Sequence, residues 1–257
     1  MILPAVQHLY IYRAANEFTE QIFKDGRLWS SKPDGFNDPF DCDLEVTKGI
    51  TEEDVMHTVR AMHGRQREKW PPRIAKFVDS IFDEDNKFVV AERARIGEEI
   101  QAIVDDNKNS GVVCLSEVND SILMWSHYAL RHTGICIEFH RTPHSPLGDP
   151  EICSPVQYSS KYPVVDMGKM LLNRDGQTLD LMMRYKADCW AYEKEWRVIT
   201  DKGDKQCNFV GVISKVIFGL RTSDAFRKSI QGLCDAMKIR TVQANKAPME
   251  FRIVIPD

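Results

Sequence analysis

The segment Trp190–Arg197 constrains this chain more than any other. It reads Trp-Ala-Tyr-Glu-Lys-Glu-Trp-Arg, so two carboxylates stand two positions apart within a run of three aromatic residues. If the segment is extended, Glu193, Glu195 and Arg197 point to one face of a sheet, and the even-numbered side chains point to the other. The sequence therefore predicts either a structural ion-pair cluster or one wall of a catalytic pocket.

The bulk composition is that of an ordinary globular protein. The chain has 257 residues, of which 43% are hydrophobic and 28% charged, and its net charge is −4. That balance argues against a nucleic-acid-binding surface that spans the whole chain. We expect a single α+β domain over residues 1–257, with a helical insertion at 49–109 whose charged residues form solvated faces.

Cysteine usage and the N-terminus predict the compartment. None of the seven cysteines belongs to a Cys-x-x-Cys pair, and several sit in apolar runs such as Val113–Leu115. This pattern is typical of reduced, buried thiols. The N-terminus has no signal-peptide pattern, and no apolar run approaches the roughly 18 residues that span a membrane. We therefore predict a cytoplasmic protein without membrane association.

Hydrophobic periodicity predicts strands and helices in no regular alternation. Strands are expected at 8–13, 27–31, 111–116, 135–140, 195–200, 212–219, 239–243 and 250–255, and helices at 14–24, 121–129, 178–189 and 223–237. In the first helix, Phe18, Ile22 and Phe23 are spaced to form one apolar stripe. The absence of repeated strand–helix–strand units favours an α+β fold with a mixed or antiparallel sheet.

Several standard chemistries are unsupported. The chain has no Gly-x-Gly-x-x-Gly, no P-loop, no Gly-x-Ser-x-Gly and no His-Glu-x-x-His motif. His127 stands between Trp125 and Tyr128 and is a candidate pocket residue. Asp38, Asp41 and Asp43 stand near a turn, where carboxylates either cap the backbone or bind a hard cation. The cation alternative, with Glu193 and Glu195 as further ligands, predicts a metal-dependent nucleic-acid-processing enzyme.

Four motifs carry a family resemblance. They are Leu9-Tyr10-x-Tyr12-Arg13, Phe36-Asn37-Asp38-Pro39-Phe40-Asp41, Met124-Trp125-x-His127-Tyr128 and Trp190-x-Tyr192-Glu193-x-Glu195-x-Arg197. With these motifs the chain resembles the bacterial domain-of-unknown-function family 2971, and the resemblance covers nearly all of the chain outside the helical insertion. The family has no assigned function.

The chain also has a distant resemblance to mono-ADP-ribosyltransferases. These enzymes bind NAD in a split α+β sheet, with an arginine or histidine on the first strand, a serine or tyrosine on a middle strand and a late Glu-x-Glu. Arg13 ends the first predicted strand, Ser116 ends a middle one, and Glu193-Lys194-Glu195 is a late Glu-x-Glu. The resemblance implies an ADP-ribosyltransferase-like split sheet and NAD as a substrate, with no metal.

The resemblance also implies roles for individual residues. Arg13 would clamp the pyrophosphate of NAD. Glu195 would hold a ribose hydroxyl and stabilise the oxocarbenium-like charge, while Glu193 would deprotonate or orient the acceptor. The remaining cofactor-binding candidates are the nicotinamide-stacking residues Tyr12, Trp125 and Tyr128, together with Ser116, His127 and Asn37.

The predicted function is NAD-dependent ADP-ribosyl transfer or NAD cleavage, in a bacterial toxin or a phage-defence effector. The acceptor is left open among protein, nucleic acid and small molecule, and an antitoxin or a defence-system protein is the expected partner. Besides the metal-dependent enzyme, the alternative is a non-catalytic sensor or partner-binding module in a defence system. The position of Arg197 distinguishes the structural interpretation from the catalytic one. The cluster is structural if Arg197 pins the glutamates to the scaffold, and it is part of a catalytic site if Arg197 lines the pocket.

Overall fold

The computed structural model describes residues 6–43, 45–46, 108–165, 182–208 and 211–256. The chain divides into two compact units. The first unit contains residues 1–41, 110–160 and 186–257, and the second contains residues 42–109 and 161–185. The predicted helical insertion at 49–109 lies outside the described residues, except for its last two positions.

The predicted strands at 8–13, 111–116, 135–140 and 195–200 and the helices near 14–24, 121–129 and 223–237 are confirmed, whereas several short strands were not predicted. In chain order the strands are β1 His8–Arg13, β2 Arg27–Ser30, β3 Glu45–Val46, β4 Gly111–Ser116, β5 Ile135–His140, β6 Cys153–Pro155, β7 Gln157–Ser159, β8 Val164–Val165, β9 Tyr185–Ala187, β10 Glu195–Thr200, β11 Lys205–Asn208, β12 Val212–Phe218, β13 Arg240–Gln243, β14 Asn245–Lys246 and β15 Ile253–Val254. The α-helices described are α1 Glu17–Asp25, α2 Ile122–Tyr128 and α3 Asp224–Ala236, and short 3₁₀ helices occupy Pro33–Gly35, Pro146–Gly148 and Asp188–Glu193.

A seven-stranded sheet forms the centre of the first unit. Its order is β13-β12-β5-β1-β4-β10-β6, and β12 with β13 is its parallel pair. The pairings of β1, β4, β5 and β10 with their neighbours are antiparallel. An α+β fold with a mostly antiparallel sheet is therefore confirmed. In the second unit, β3 and β8 pair in parallel.

The sheet is split between β1 and β4. β1 pairs with β5 along its whole length, and β4 pairs with β10 along its whole length. In contrast, β1 and β4 share the single register pair Tyr10 and Ser116. Beyond this point the two central strands separate, and the gap is available for a cavity.

Both faces of the sheet are covered, because alternate side chains enter two different cores. Leu9, Ile11 and Ile137 belong to the larger core, which also takes Ile22 from α1 and Ile230 from α3. The smaller core lies on the opposite face and contains Tyr12, Trp125, Cys136 and Ile217.

Two local predictions are wrong. Phe18 is 68% exposed, whereas Ile22 and Phe23 are buried, so the apolar stripe of α1 excludes its first member. The helix predicted at 178–189 contains strand β9, Tyr185–Ala187, followed by a 3₁₀ turn. Ion pairs made by the Lys186 side chain hold this stretch, and such tertiary contacts override local helical spacing.

Two further observations concern membrane-spanning helices and disulfides. Within the part of the chain that the structure describes, no helix is long and apolar enough to cross a membrane. Among the same residues, no two cysteines form a disulfide.

Candidate functional site

A cavity of about 420 Å³ opens where β1 and β4 separate. This volume lies within the range of small-molecule sites, about 300–1,000 Å³. β1 and β4 supply much of its lining, and α2, the Phe36–Asp41 loop and the Lys186–Glu195 segment supply most of the rest. Its chemically informative lining residues are Tyr12, Arg13, Trp29, Asn37, Asp41, Cys114, Ser116, His127, Tyr128, Lys186, Glu193 and Glu195. We call this space the first cavity.

Three carboxylates and two cations form a buried charge cluster at the first cavity. Lys186 Nζ lies 2.6 Å from Oε2 of Glu193 and 2.8 Å from Oε2 of Glu195. It also lies 3.3 Å from Oδ2 of Asp41. Arg197 is the second cation, and all five side chains are at most about one-twentieth exposed. With all five groups ionised, the charge cluster carries one net negative charge.

Arg197 holds two carboxylates of the charge cluster in place. Its Nη2 donates to both carboxylate oxygens of Asp41, at 2.7 and 2.8 Å. Its Nε donates to Oε1 of Glu195 at 2.7 Å. The Arg197 side chain is fully buried and is not among the described residues that line the first cavity. Arg197 therefore pins Asp41 and Glu195 to the scaffold, while those two carboxylates reach the cavity.

The charge cluster shifts the pKa values of two of its members, Glu195 and Lys186. Burial would raise the pKa of Glu195, but the charges of Arg197 and Lys186 outweigh burial and lower that pKa to about 2. Burial would lower the pKa of Lys186, but the three carboxylates outweigh it and raise that pKa. At neutral pH, Glu195 is therefore a carboxylate and Lys186 an ammonium.

A backbone turn brings Glu193 and Glu195 to the same lysine. Glu193 ends the 3₁₀ helix, Lys194 takes a left-handed conformation with φ of 43°, and Glu195 begins β10. Ser116 Oγ donates to the backbone oxygen of Glu193 at 2.6 Å and fixes the turn to the end of β4. The extended geometry considered from the sequence thus holds only from Glu195 onward. The prediction that Trp196 faces the opposite side is confirmed, since it enters the larger core.

Tyr128 supports Glu193 from α2. Its hydroxyl donates to Oε1 of Glu193 at 2.6 Å. Burial, and then the hydrogen bond to the Glu193 carboxylate, raise the pKa of Tyr128. The phenol is therefore protonated at neutral pH and can donate to the Glu193 carboxylate.

Arg13 faces the first cavity, and no acidic side chain among the described residues pairs with it. Its guanidinium forms no ion pair or hydrogen bond with any side chain in the described parts of the chain. Burial lowers the pKa of Arg13, although a guanidinium remains charged in proteins. A partly desolvated cation without a partner costs folding free energy, and an anion bound in the cavity would offset that cost.

The other predicted cofactor residues differ in whether their side chains line the first cavity. Tyr12 lines it, but its hydroxyl donates to the Val118 backbone oxygen at 2.8 Å. Asn37 and His127 are exposed and line it directly. Trp125 is fully buried, donates from Nε1 to the Asn119 backbone oxygen, and packs edge-on against Tyr12. The structure therefore places Trp125 behind the lining and not within it.

The alternative metal ligands are occupied by protein groups. Asp38 accepts hydrogen bonds from the indole of Trp190 at 2.7 Å and from the backbone of Phe40 at 2.9 Å. Asp41 is held by Arg197 and Lys186. Lys186 Nζ lies where a cation shared by the carboxylates would lie. Among the described residues, no group of three histidine, cysteine or acidic side chains is arranged to hold a metal ion.

Lys186, Cys114 and Trp29 line the cavity but were not predicted as site residues. Lys186 stands in the segment that was predicted to be helical, and no motif marks it. Cys114 is opposite Arg197 in the β4–β10 register and projects into the first cavity. The surrounding protein, and then the charge of Glu195, raise the pKa of the Cys114 thiol, so it is not poised as a thiolate nucleophile. Period-two alternation in β4 was the signal that placed Cys114 and Ser116 on one face.

A family model matches residues 124–198 of the chain. The family is DUF2971, described as a protein of unknown function. The predicted family is thus confirmed for a segment that includes Tyr128, Lys186, Glu193, Glu195 and Arg197. The DUF2971 segment covers less than a third of the chain, and Arg13 and Asp41 lie outside it. Comparisons with curated proteins and with solved structures found no match.

Proposed function

We propose that the first cavity binds NAD and breaks its nicotinamide–ribose bond, with ADP-ribose passing to water or to another acceptor. One observation carries the proposal: Arg13, a cation without a partner among the described residues, lines the same cavity as the carboxylates of Glu193 and Glu195. A site that binds and cleaves NAD needs both a cation and a carboxylate, because the pyrophosphate is anionic and the ribose becomes cationic as the bond breaks.

Arg13 supplies the anion-binding end. A guanidinium presents several donors in a plane and recognises phosphate oxygens bidentately. Because Arg13 pairs with no carboxylate in the described parts of the chain, binding the pyrophosphate would break no ion pair there. The free energy gained on binding is therefore not reduced by the loss of an internal contact.

Glu195 supplies the catalytic end. When the bond between ribose C1′ and the nicotinamide nitrogen breaks, its electron pair leaves with nicotinamide and positive charge develops on C1′ and the ring oxygen. A carboxylate fixed beside that charge stabilises the transition state. Lys186 and Arg197 keep Glu195 ionised and immobile, and the net negative charge of the cluster remains available to the ribose.

Glu193 is the candidate base. Water or an acceptor hydroxyl attacks C1′, forms the new bond and releases a proton. Glu193 lines the cavity and is oriented by Tyr128 and Lys186. It accepts this proton or orients the acceptor that gives it up. A role in a toxin or a phage-defence system stays a prediction from the sequence.

The proposal is tested by incubating the protein with NAD and measuring the released nicotinamide. Wild-type protein and an Arg240→Gln control should release it, because Arg240 is an exposed cation on the edge strand β13. Arg13→Gln and Glu195→Gln should lower the rate at least about 100-fold, as expected when a positioned charge is lost. Circular dichroism must show each variant folded. If folded wild-type protein neither binds nor cleaves NAD, with or without cell lysate as a source of acceptor, the proposal is wrong.

A further inference from the structure

A second cavity, of about 540 Å³, lies beside the first. The two share Tyr12, Arg13, Trp29 and Tyr128 in their linings, so Arg13 faces both. The second cavity is formed by α1 on one side and the β2–β11 pair on the other. All of its lining residues belong to the first unit.

Two large aromatic side chains in this lining are exposed. Trp29 is 51% exposed and Phe18 is 68% exposed. Alternation in β2 directs Arg27 and Trp29 to the solvent side, while Leu28 and Ser30 are buried. On α1, Phe18 and Gln21 stand three positions apart and share one face of the helix. Exposed aromatics in a concave site are typical of surfaces on which a flat ring stacks.

The charge of the second cavity is positive. Its charged lining residues, among those described, are Arg13 and Arg27, and none is acidic. Neither arginine forms an ion pair in the described parts of the chain. Gln21 and Gln206 add amide groups that can donate to and accept from a heterocycle. Aromatic faces, amides and unpaired guanidiniums together match a ligand that joins a base to a phosphate.

We infer that the second cavity is a binding site for a nucleoside 5′-phosphate group, with its base against Phe18 and Trp29 and its phosphate on Arg13. This inference goes beyond the proposed function, since it requires no bond to break at the charge cluster. A free mononucleotide and the adenylate half of a dinucleotide present the same chemistry here. In a dinucleotide, the shared Arg13 would allow the remaining half to enter the first cavity.

The test is a titration with adenosine 5′-monophosphate, followed by calorimetry in every variant and also by tryptophan fluorescence in the variants that keep Trp29. Wild type should bind it, and Phe18→Ala and Trp29→Ala should each weaken binding about 5- to 100-fold, the cost of losing one stacking partner. Arg13→Gln should weaken it further. Phe251→Ala is the matched control, because this phenylalanine is fully exposed outside both linings. It should bind as wild type does.

Three outcomes would overturn the inference: no binding by the wild type, equally tight binding of inorganic phosphate, and tight binding of a single-stranded oligonucleotide without binding of the monophosphate. Competition by NAD identifies a dinucleotide as a second source of the same group, and supports the inference. The outcome is separable from that of the proposed function. If adenosine 5′-monophosphate binds but nicotinamide is never released, the second cavity stands and NAD cleavage fails.

Discussion

Lys186 Nζ lies 2.8 Å from Oε2 of Glu195, and both side chains are buried. The same nitrogen also holds Glu193 and Asp41, so one ammonium group serves three carboxylates. An ammonium in this position offsets the mutual repulsion of three carboxylates that are held close together in a buried space.

Removing this ammonium should destabilise the folded protein. In Lys186→Met, Arg197 alone faces three buried carboxylates, and an uncompensated buried charge costs about 3–5 kcal/mol. We expect the free energy of unfolding in urea to fall by that amount. Lys205→Met is the control, because it removes a lysine from an exposed pair with Asp201 and should change little. Equal losses in the two variants would show that the charge cluster contributes no special stability.

Glu195 should make stability depend on acidic pH. Its pKa is about 2 in the folded protein, against about 4.5 for an unperturbed glutamate. Because the folded pKa is the lower one, the stabilisation is fully present above pH 4.5 and is lost as the pH falls towards 2. This difference corresponds to about 3 kcal/mol at neutral pH.

The melting temperature measured from pH 6 to pH 2 tests this dependence. Glu195→Gln should start lower than the wild type and decline less steeply between pH 4.5 and 2. Glu151→Gln, at an exposed position, should retain the wild-type slope. An unchanged slope in Glu195→Gln would contradict the depressed pKa.

The hydroxyl of Tyr128 should contribute measurably through Glu193. Tyr128→Phe removes a 2.6 Å hydrogen bond to a buried carboxylate, and hydrogen bonds to charged groups contribute about 1.5–3 kcal/mol. Chemical denaturation should show a loss of this size. Tyr192→Phe is matched in chemistry and removes only a 3.4 Å contact with His127, so its loss should be smaller. The reverse order would mean that Glu193 does not depend on Tyr128.

Replacing Arg13 should not destabilise the protein. Arg13→Gln removes a partly desolvated charge that has no partner among the described side chains, so the free energy of unfolding should stay constant or rise. Arg141→Gln provides the contrast, because Arg141 donates to the backbone oxygens of Leu147 and Val6. A destabilisation of Arg13→Gln as large as that of Arg141→Gln would indicate a structural role for Arg13.

Gly134 should tolerate no side chain, because a Cβ there would collide with the backbone oxygen of Arg13. We expect Gly134→Ala to cost about 1–3 kcal/mol, the usual range for overpacking. Gly232 is the matched control: it lies inside α3, where a Cβ meets nothing within 4 Å. Gly232→Ala should therefore stabilise the protein by about 0.5–1 kcal/mol. Thermal melts of both variants separate the effects.

The central strands were predictable because they are short runs rich in aliphatic, β-branched and aromatic residues. The runs at 8–13, 111–116 and 135–140 were predicted with the bounds that the structure shows. The placement of Glu195 and Arg197 on one face followed from the period-two geometry of an extended strand. These predictions rest on local geometry, which a single sequence records well.

Lys186 was missed for a physical reason. Its importance comes from three carboxylates contributed by other segments, and a local pattern of apolar spacing contains none of that information. Phe18 was predicted wrongly in the other direction. Its helical spacing predicted a buried side chain, but the side chain is 68% exposed. The left-handed Lys194 was likewise hidden, because lysine has no preference for that conformation.

The ion pair between Asp41 and Lys186 joins two particular points of the chain. Asp41 is the last residue before the chain first leaves the first unit, and Lys186 is the first residue after it finally returns. Each segment that leaves the first unit begins and ends at residues of that unit, so it is a closed loop, and the length of such a loop has only a weak effect on closure entropy. Changes in the length of either segment should therefore cost little folding free energy, while the ion pair keeps its carboxylate in position at the cavity.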